Sequence, residues 1–247
     1  IAGRQVDSVR TEIGRRLARE HPVDADVVIP VPESRRYAAI GYAQESGIPF
    51  GEGLVKNAYV GRTFIQPYQS IRLLGIRLKL NPLRGVIEGK RLVVVDDSIV
   101  RGNTQRALVK MLRESGALEV HVRISSPPVK WPCFYGIDFA SRDELIANEM
   151  SVANICASIG ADSLSYVSLE ELVQATRIPS GQMCRACFDG VYPVELPAEH
   201  RRGKNLLEPL PTTDPREDPV LSAAGVAAAG VGASGTGDAV NLEVPKP

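Results

Sequence analysis

Two adjacent carboxylates, Asp96 and Asp97, are the residues whose types and position suggest chemistry most directly. They follow an apolar run at 92–95 and precede a small, polar stretch at 98–104 that contains Gly102. Small residues let backbone N–H groups approach a phosphate, and the N-terminus of a following helix adds partial positive charge. Carboxylates suit sugar hydroxyls or a divalent cation that accompanies phosphate. A phosphorylated sugar with Mg²⁺ satisfies all of these features.

The elements that must position this pair are a strand before it and a helix after it. The run at 92–95 contains three β-branched residues, which is typical of a buried strand, and apolar residues from Ala107 to Leu112 recur at helical spacing. The stretch at 26–31 predicts another buried strand, followed by a helix over 37–46 that ends at Gly47. A further strand is predicted at 119–125. Strands that alternate with helices in this way indicate an α/β fold with a doubly wound, mainly parallel sheet.

Ser34 lies in the loop after the strand at 26–31, so we expect it at the same edge of the sheet as the carboxylates. It either caps the following helix or meets a ligand, and from the residues alone the cap is favoured. Arg35 and Arg36 beside it either neutralise phosphate or are exposed charges.

The segment at 56–84 has an unusual charge pattern, because it contains six basic residues and not one carboxylate. It is interrupted by glycine and proline, and Tyr59, Phe64 and Tyr68 are interspersed among the charges. A mobile basic lid over a polyanionic substrate, a surface for single-stranded nucleic acid and a solvated hairpin all fit this pattern. With a phosphate loop elsewhere in the chain we favour the lid. A turn is predicted at 86–90.

The bulk composition excludes several classes of protein. The 247 residues include 29 basic and 29 acidic side chains, so net charge gives no indication of nucleic acid or membrane as a partner. No apolar run approaches the roughly 20 residues that span a bilayer. Four cysteines do not suggest a secreted disulfide scaffold, so we expect a cytoplasmic protein. The sequence begins with Ile1 and no signal peptide is evident, so we expect it to be a fragment.

The cysteines form a possible metal site. Cys184 and Cys187 are spaced as C-x-x-C, which brings two thiolates close enough to share one metal, and Cys133 is a candidate third ligand. Spacing alone leaves a zinc site, an iron–sulfur site and free thiols open. Cys156 lies on an apolar helical face and is expected to be a small buried hydrophobe.

The composition changes near residue 198. The stretch at 198–247 has no aromatic residue and contains a low-complexity run rich in alanine and glycine, which cannot bury enough apolar surface to offset its ordering entropy. We therefore predict one domain at 1–197, with the cysteine segment at its C-terminal end, and a disordered tail at 198–247.

The stretch at 92–104 matches the 5-phosphoribosyl-1-pyrophosphate (PRPP) signature of type I phosphoribosyltransferases at every position. Beyond it, the chain resembles the phosphoribosyltransferase half of the iron–sulfur type of amidophosphoribosyltransferases over about 1–197. The motifs that carry the resemblance are VIPVPES (28–34), GYAQESGIPF (41–50), KNAYVGRTFIQP (56–67), LVVVDDSIVRGNT (92–104), SSPPVKWPCFYGID (125–138), IGADSL (159–164) and CRACFDGVYP (184–193).

The resemblance implies the type I phosphoribosyltransferase fold with a flexible lid. It implies the first committed step of purine synthesis, in which PRPP, glutamine and water give 5-phosphoribosylamine, pyrophosphate and glutamate. Asp96, Asp97 and Ser34 would meet Mg²⁺, and Cys133, Cys184 and Cys187 would hold a [4Fe–4S] cluster. Lys56, Tyr59 and Arg62 would act catalytically from the lid. The implied PRPP-binding residues are Asp96, Asp97, Ser98, Val100, Arg101, Gly102, Asn103 and Thr104.

The resemblance also carries departures and implied partners. The family's glutaminase half and its fourth cluster ligand are expected upstream of this sequence, so we expect the chain alone not to hydrolyse glutamine. Arg35 to Tyr37 stand where small residues or proline are usual, and Cys156 matches no cluster position. Purine nucleotides are the expected inhibitors, and a homo-oligomer is expected. A non-catalytic PRPP-binding regulator is the alternative function, whereas a nucleobase transferase would need a base-binding hood for which the sequence shows no candidate.

Overall fold

A computed structural model describes residues 3–59, 80–137 and 142–194 of the chain. The predicted lid falls mostly outside these residues, Arg62 included, and the predicted tail at 198–247 lies wholly outside them.

The described residues form a parallel sheet of four strands and a separate antiparallel pair. The strands in chain order are β1 (Val27–Pro30), β2 (Leu54–Lys56), β3 (Leu80–Pro82), β4 (Arg91–Asp96), β5 (Glu119–Ile124) and β6 (Ser163–Tyr166). The sheet has the order β1-β4-β5-β6 and every pairing in it is parallel, whereas β2 pairs with β3. The register places Val28 beside Val93 and Ile29 beside Val94. The carboxyl ends of β1 and β4 therefore lie at one edge.

Helices connect these strands. They are α1 (Val6–Glu20), α2 (Arg36–Ser46), α3 (Arg84–Ile87), α4 (Asn103–Glu114), α5 (Ile146–Glu149), α6 (Val152–Ile159), α7 (Leu169–Thr176) and α8 (Ala186–Asp189), with 3₁₀ turns at Arg142–Glu144 and Ser180–Gln182. The strands and helices predicted around 26–46, 92–112 and 119–125 are thus present. The segment at 84–87, however, forms the single helical turn α3, which overlaps the first two residues of the turn predicted at 86–90. The Glu88 N–H donates to the Arg84 carbonyl at 2.8 Å, and this turn buries Ile87 completely.

Each face of the sheet is covered by its own helices. Val93 and Val95 of β4 face a core shared with α1, α2 and α7, whereas Leu92 and Val94 face a core shared with α4 and α6. Alternate residues of one strand thus serve two cores, as the near-continuous apolar pattern of a doubly wound sheet requires. The predicted α/β class and parallel sheet are confirmed.

Two glycines let α1 approach α2 closely. A Cβ atom on Gly14 would lie 1.9 Å from the Ala38 carbonyl oxygen, and a Cβ atom on Gly41 would lie 1.9 Å from the Thr11 carbonyl oxygen. This contact fixes the direction from which α2, and the loop before it, reach the edge of the sheet. No helix among the described residues is long and apolar enough to cross a membrane.

Candidate functional site

The Asp96–Asp97 pair lies where β4 ends. Asp96 is the last residue of the strand and only 3% exposed, whereas Asp97 begins the loop and is exposed. The Asp97 N–H donates to Asp96 Oδ1 at 2.9 Å, and the Ser98 N–H donates to Asp97 Oδ1 at 2.8 Å. These local bonds hold the two carboxylates at the carboxyl end of β4, the edge where ligands bind in open α/β sheets.

Arg35 connects this pair to the loop that follows β1. Its Nε donates to Asp96 Oδ1 at 2.7 Å, and its Nη2 lies 2.9 Å from Asp97 Oδ2 and 3.0 Å from Asp97 Oδ1. The contact exists because β1 and β4 are parallel neighbours, with the Val31 N–H bonded to the Val95 carbonyl at 2.9 Å. The sequence left Arg35 between a phosphate ligand and an exposed charge; here it is the counter-ion of the acidic pair.

Gln105 completes the surroundings of Asp96. It is buried on the first turn of α4, and its Nε2 donates to Asp96 Oδ2, while its Oε1 has no partner among the described residues. Both Asp96 oxygens are therefore engaged, one by Gln105 and the other by Arg35 and the Asp97 N–H.

Burial and charge act in opposite directions on this group. Burial raises the pKa of Asp96 to about 6, with a further increase from the charge of Asp97, while Arg35 acts to lower it. Burial acts to lower the pKa of Arg35, but the charges of Asp96 and Asp97 raise it above its ordinary value. The guanidinium is thus fully charged and the buried carboxylate is held ionised mainly by it.

The loop at 98–104 offers free N–H groups. Among the described residues, no backbone N–H from 99 to 104 donates to a protein acceptor. These groups lie at the start of α4, so they and the helix dipole together suit a phosphate. Gly102 permits this path, because its φ is +75° and an added Cβ would lie 2.9 Å from Ile146 Cδ1.

The segment at 144–146 packs against the loop at 98–104 and holds it in place. The Ile146 N–H donates to the Val100 carbonyl at 2.9 Å, and Arg101 forms an ion pair with Glu144. Asn103 accepts a bond from Arg106 at 3.1 Å. Ser98 is half-buried and Thr104 is exposed, so the predicted phosphate residues line one loop but differ in accessibility.

Apart from the cysteines, the structure describes three of the four remaining predicted site residues, which are Ser34, Lys56, Tyr59 and Arg62. Lys56, at the end of β2, pairs with Glu33 at 3.1 Å, which brings it to the loop after β1. Tyr59 is 98% exposed and its N–H donates to Asn57 Oδ1 at 3.0 Å, and Arg62 lies outside the described residues. Ser34 is exposed and is not the cap of α2, because Arg35 occupies the N-cap position without a side-chain bond. The cap favoured from sequence is therefore wrong.

The cysteine segment folds against the loop that follows β5. The Lys130 and Trp131 N–H groups donate to the Cys187 carbonyl at 3.0 and 3.1 Å, and the Tyr192 hydroxyl donates to the Pro132 carbonyl at 2.8 Å. Burial, and next the charge of Cys133, raise the pKa of Cys187 to about 11. Distant parts of the sequence thus bring Cys133 near the C-x-x-C pair.

Cys133 already has one feature of a metal ligand, since its Sγ accepts the Tyr135 N–H at 3.4 Å. However, the described residues contain no group of three or more His, Cys, Asp or Glu side chains placed to hold one metal ion. The iron–sulfur site therefore stays a prediction. Cys156 is half-buried on α6 and donates to the Ala161 carbonyl at 3.3 Å, as a structural thiol would.

The acidic pair has the hard oxygen ligands that Mg²⁺ prefers. The carboxylate oxygens that face the edge are already bonded to Arg35, so the donor set fits a divalent cation only when that guanidinium moves away. The magnesium ligands also stay a prediction.

The sequence did not reveal three contributors to this site. Arg35 was recognised as a departure from the family pattern but not as the partner of the acidic pair. Gln105 lies nine residues beyond Asp96. The only indication in the sequence that Gln105 lies near the loop is its position at the start of the predicted helix. Glu144 belongs to a segment with no distinct pattern, and its role depends on tertiary packing.

Comparison with known proteins gives strong matches over most of the chain. The chain is 67% identical over 213 residues to the amidophosphoribosyltransferase of Mycobacterium tuberculosis (strain ATCC 25618 / H37Rv), covering 84% of this chain and 40% of that protein. It is 56% identical over 201 residues to the amidophosphoribosyltransferase of Bacillus subtilis (strain 168), covering 79% of this chain and 42% of that protein. The chain thus spans about two fifths of the length of the curated relatives it matches. No family model matches.

Solved structures agree. The chain matches the glutamine PRPP amidotransferase from B. subtilis complexed with ADP and GMP with a TM-score of 0.71 and 54% identity, covering 79% of this chain and 44% of that one. A structure described as the allosteric regulatory enzyme of purine biosynthesis matches with a TM-score of 0.72 and 54% identity, covering 81% of this chain and 44% of that one. The resemblance predicted from the motifs is therefore confirmed, and so is the phosphoribosyltransferase type of fold.

Proposed function

We propose that this chain carries the PRPP site of an amidophosphoribosyltransferase and transfers ammonia to PRPP. The observation that supports this most is the juxtaposition at the carboxyl edge of the sheet. The buried Asp96 and the half-exposed Asp97 lie beside a loop of free N–H groups at the start of α4, within a chain 67% identical to the M. tuberculosis relative. The reaction takes ammonia and PRPP to 5-phosphoribosylamine and pyrophosphate, and in a longer protein glutamine would supply the ammonia.

The geometry suits this chemistry. Breaking the bond between ribose C1 and pyrophosphate builds positive charge on the ring and negative charge on the leaving group. Asp96 and Asp97 would bind the ribose hydroxyls and favour the first charge, and the free N–H groups of 99–104 would hold the 5-phosphate. Lys56, Tyr59 and Arg62 would act from the basic segment on the pyrophosphate. When bound, Mg²⁺ supplies further positive charge to the leaving group, and Asp96, Asp97 and Ser34 are the residues that would hold it.

The test is ammonia-dependent release of pyrophosphate from PRPP by the 247-residue chain. We expect release to rise with free ammonia and to be indifferent to glutamine. The alternative is a non-catalytic PRPP-binding regulator, and the engagement of both carboxylates by Arg35 is the observation in its favour. PRPP binding without any release of pyrophosphate, in a full-length protein that contains this chain, would establish that alternative.

We further propose that Cys133, Cys184 and Cys187 bind a [4Fe–4S] cluster together with a fourth ligand from outside this sequence. The support is their approach in space and the N–H bond to Cys133 Sγ. Iron and sulfide analysis of a protein that includes the preceding segment is the test, with about four of each expected per chain. Zinc in place of iron would refute the proposal.

The remaining expectations follow from the relatives. The B. subtilis structure carries ADP and GMP, which supports purine nucleotides as inhibitors of this chain. A homo-oligomer and a cytoplasmic location are proposed on the same relationship. Turnover assays with added ADP and GMP test the inhibition, and light scattering tests the oligomeric state.

A further inference from the structure

The loop after β1 places the guanidinium of Arg35 on the Asp96–Asp97 pair, where the proposed function needs Mg²⁺. Arg35 is a single guanidinium that bonds both members of the acidic pair, with Nε on Asp96 and Nη2 on Asp97. Its Nη1 also donates to the Pro32 carbonyl at 3.4 Å, which fixes the plane of the group. A planar fork of this kind bridges two carboxylates in a way that a lysine ammonium does not.

The loop that carries Arg35 is held in place by further ion pairs. Glu33 pairs with Lys56 of β2 at 3.1 Å, and Arg36 pairs with Glu52 at 2.7 Å. Of these three basic side chains, only Arg35 forms an ion pair with Asp96 and Asp97. Its side chain is 26% exposed and that of Asp97 is 50% exposed, so the bridge borders solvent and a ligand can reach it.

A buried carboxylate needs a partner of opposite charge. The side chain of Asp96 is 4% exposed, and removing a single partner from such a group leaves an uncompensated buried charge. A divalent cation on the pair would use the same oxygens that Arg35 uses, and the two positive groups would repel each other at that separation. Arg35 and a divalent cation must therefore exchange at the pair and do not add to each other.

We propose that Arg35 is an internal counter-ion that closes the Asp96–Asp97 pair to free divalent cations, and that a pyrophosphate group opens the pair by drawing the guanidinium to itself. The proposal rests on the proposed function for the identity of the anion. Its consequence is ordered binding: magnesium reaches the carboxylates together with a pyrophosphate-bearing ligand and not before it. Arg35 is thus a positioning residue, and the pair is neutralised at every stage.

The test is thermal unfolding of the full chain with magnesium alone and with magnesium plus inorganic pyrophosphate, at constant ionic strength. Wild-type protein is expected to show no shift with magnesium alone and a rise with both. Arg35→Ala is expected to melt lower than wild type without magnesium and to gain about 3–6 °C when magnesium is about tenfold above its dissociation constant. Arg36→Ala is the matched control, since it removes a neighbouring arginine that pairs with Glu52, and it should behave as wild type toward magnesium.

Two further variants locate the effect. Arg35→Lys should respond to magnesium less than Arg35→Ala, because the ammonium neutralises one carboxylate at a time. Adding Asp97→Asn to Arg35→Ala should abolish the response, since one of the two carboxylates is gone. If Arg35→Ala does not fold, Arg35→Lys against wild type carries the test.

Several results would overturn the proposal. A magnesium shift in wild type equal to that of Arg35→Ala would show that Arg35 does not exclude the cation, and absence of a shift in Arg35→Ala would show that the pair does not take it. These outcomes are separate from the proposed function. A chain that shows the predicted magnesium pattern but releases no pyrophosphate with ammonia would refute ammonia transfer and leave the counter-ion role intact.

Discussion

The strand pair β1–β4 ends in two clusters of the same composition, each with one arginine and two aspartates. At the amino ends, Arg91 of β4 pairs with Asp24 and Asp26, which precede β1. At the carboxyl ends, Arg35 after β1 pairs with Asp96 and Asp97 of β4 and its loop. The two clusters are therefore mirror arrangements on one pair of strands, and they differ in burial.

Burial gives the clusters opposite electrostatics. Bonds from the Arg91 side chain and N–H lower the pKa of Asp26 to about 2, because this carboxylate stays accessible and well bonded. Burial raises the pKa of Asp96 to about 6 although its arginine is equally close. In the amino-end cluster the ionised form of Asp26 is stabilised by Arg91. In the carboxyl-end cluster, burial disfavours the ionised form of Asp96, which lies beside a loop of free N–H groups. A carboxyl group with a pKa perturbed in this way is typical of a ligand site.

The largest expected effect separates the clusters by activity. Changing Asp96→Asn and Asp97→Asn together should lower ammonia-dependent pyrophosphate release about 10²–10³-fold, because the groups opposite the developing ribose charge are lost. The matched control, Asp24→Asn with Asp26→Asn, removes the same charge at the other end and should leave the rate within about threefold. Circular dichroism checks folding of both. Equal losses in the two doubles would mean that the carboxyl-end cluster has no special role.

A smaller effect is expected at the phosphate loop. Gly102→Ala strains a φ of +75° and drives a Cβ to 2.9 Å from Ile146 Cδ1, so the loop must move. Gly89→Ala strains a similar φ of +69° but meets nothing within 4 Å. Both changes should cost about 1–2 kcal/mol of stability, measured by urea unfolding.

Only Gly102→Ala should also raise the KM for PRPP, by about tenfold, since a loop misplaced by a fraction of an ångström weakens positioning. Steady-state kinetics at saturating ammonia measures this. An unchanged KM in Gly102→Ala would remove the loop from the account of PRPP binding.

The pH dependence of stability should distinguish the clusters by its sign. The folded pKa of Asp96, about 6, lies above its ordinary value of 3.8, so the folded chain binds more protons between these values. This group's contribution to stability therefore falls as pH rises from about 4 to about 6. Asp96→Asn should remove that slope in urea unfolding across the window.

Asp26 gives the smallest effect, with the opposite sign. Its folded pKa of about 2 lies below 3.8, so its stabilisation is present above about pH 4 and is lost as pH falls toward 2. Asp26→Asn should reduce the fall in the free energy of unfolding between about pH 4 and pH 2, and should leave its pH dependence above about pH 4 unchanged. A slope between pH 4 and 6 that survives in Asp96→Asn but not in Asp26→Asn would reverse the assignment.

Sequence predicted what depends on local pattern. The apolar run before Asp96, the small loop to Thr104 and the helix after it all follow from residue type and spacing, so the strand, loop and helix of the site were predictable. The placement of the loops after β1 and β4 at one edge followed from the alternation of strands and helices.

The remaining features depend on contacts that local pattern does not encode. Arg35 meets the acidic pair only because β1 and β4 are neighbours in a particular register. The sequence around Arg35 is equally compatible with an exposed arginine that has no partner. Gln105 reaches Asp96 through the turn between strand and helix. Cys133 approaches Cys187 through backbone bonds of residues 130 and 131. The basic segment lies mostly outside the described residues, Arg62 included, and its role as a lid stays a prediction.

Equilibrium binding of PRPP with magnesium and without ammonia tests most directly whether the carboxyl edge of β1 and β4 is a PRPP site. Calorimetric titration of the 247-residue chain should show one PRPP bound per chain, displaced by pyrophosphate. The Asp96→Asn, Asp97→Asn variant should lose this binding, and the Asp24→Asn, Asp26→Asn variant should retain it. Undiminished binding in the carboxyl-end variant, or none in the wild type, would contradict the assignment.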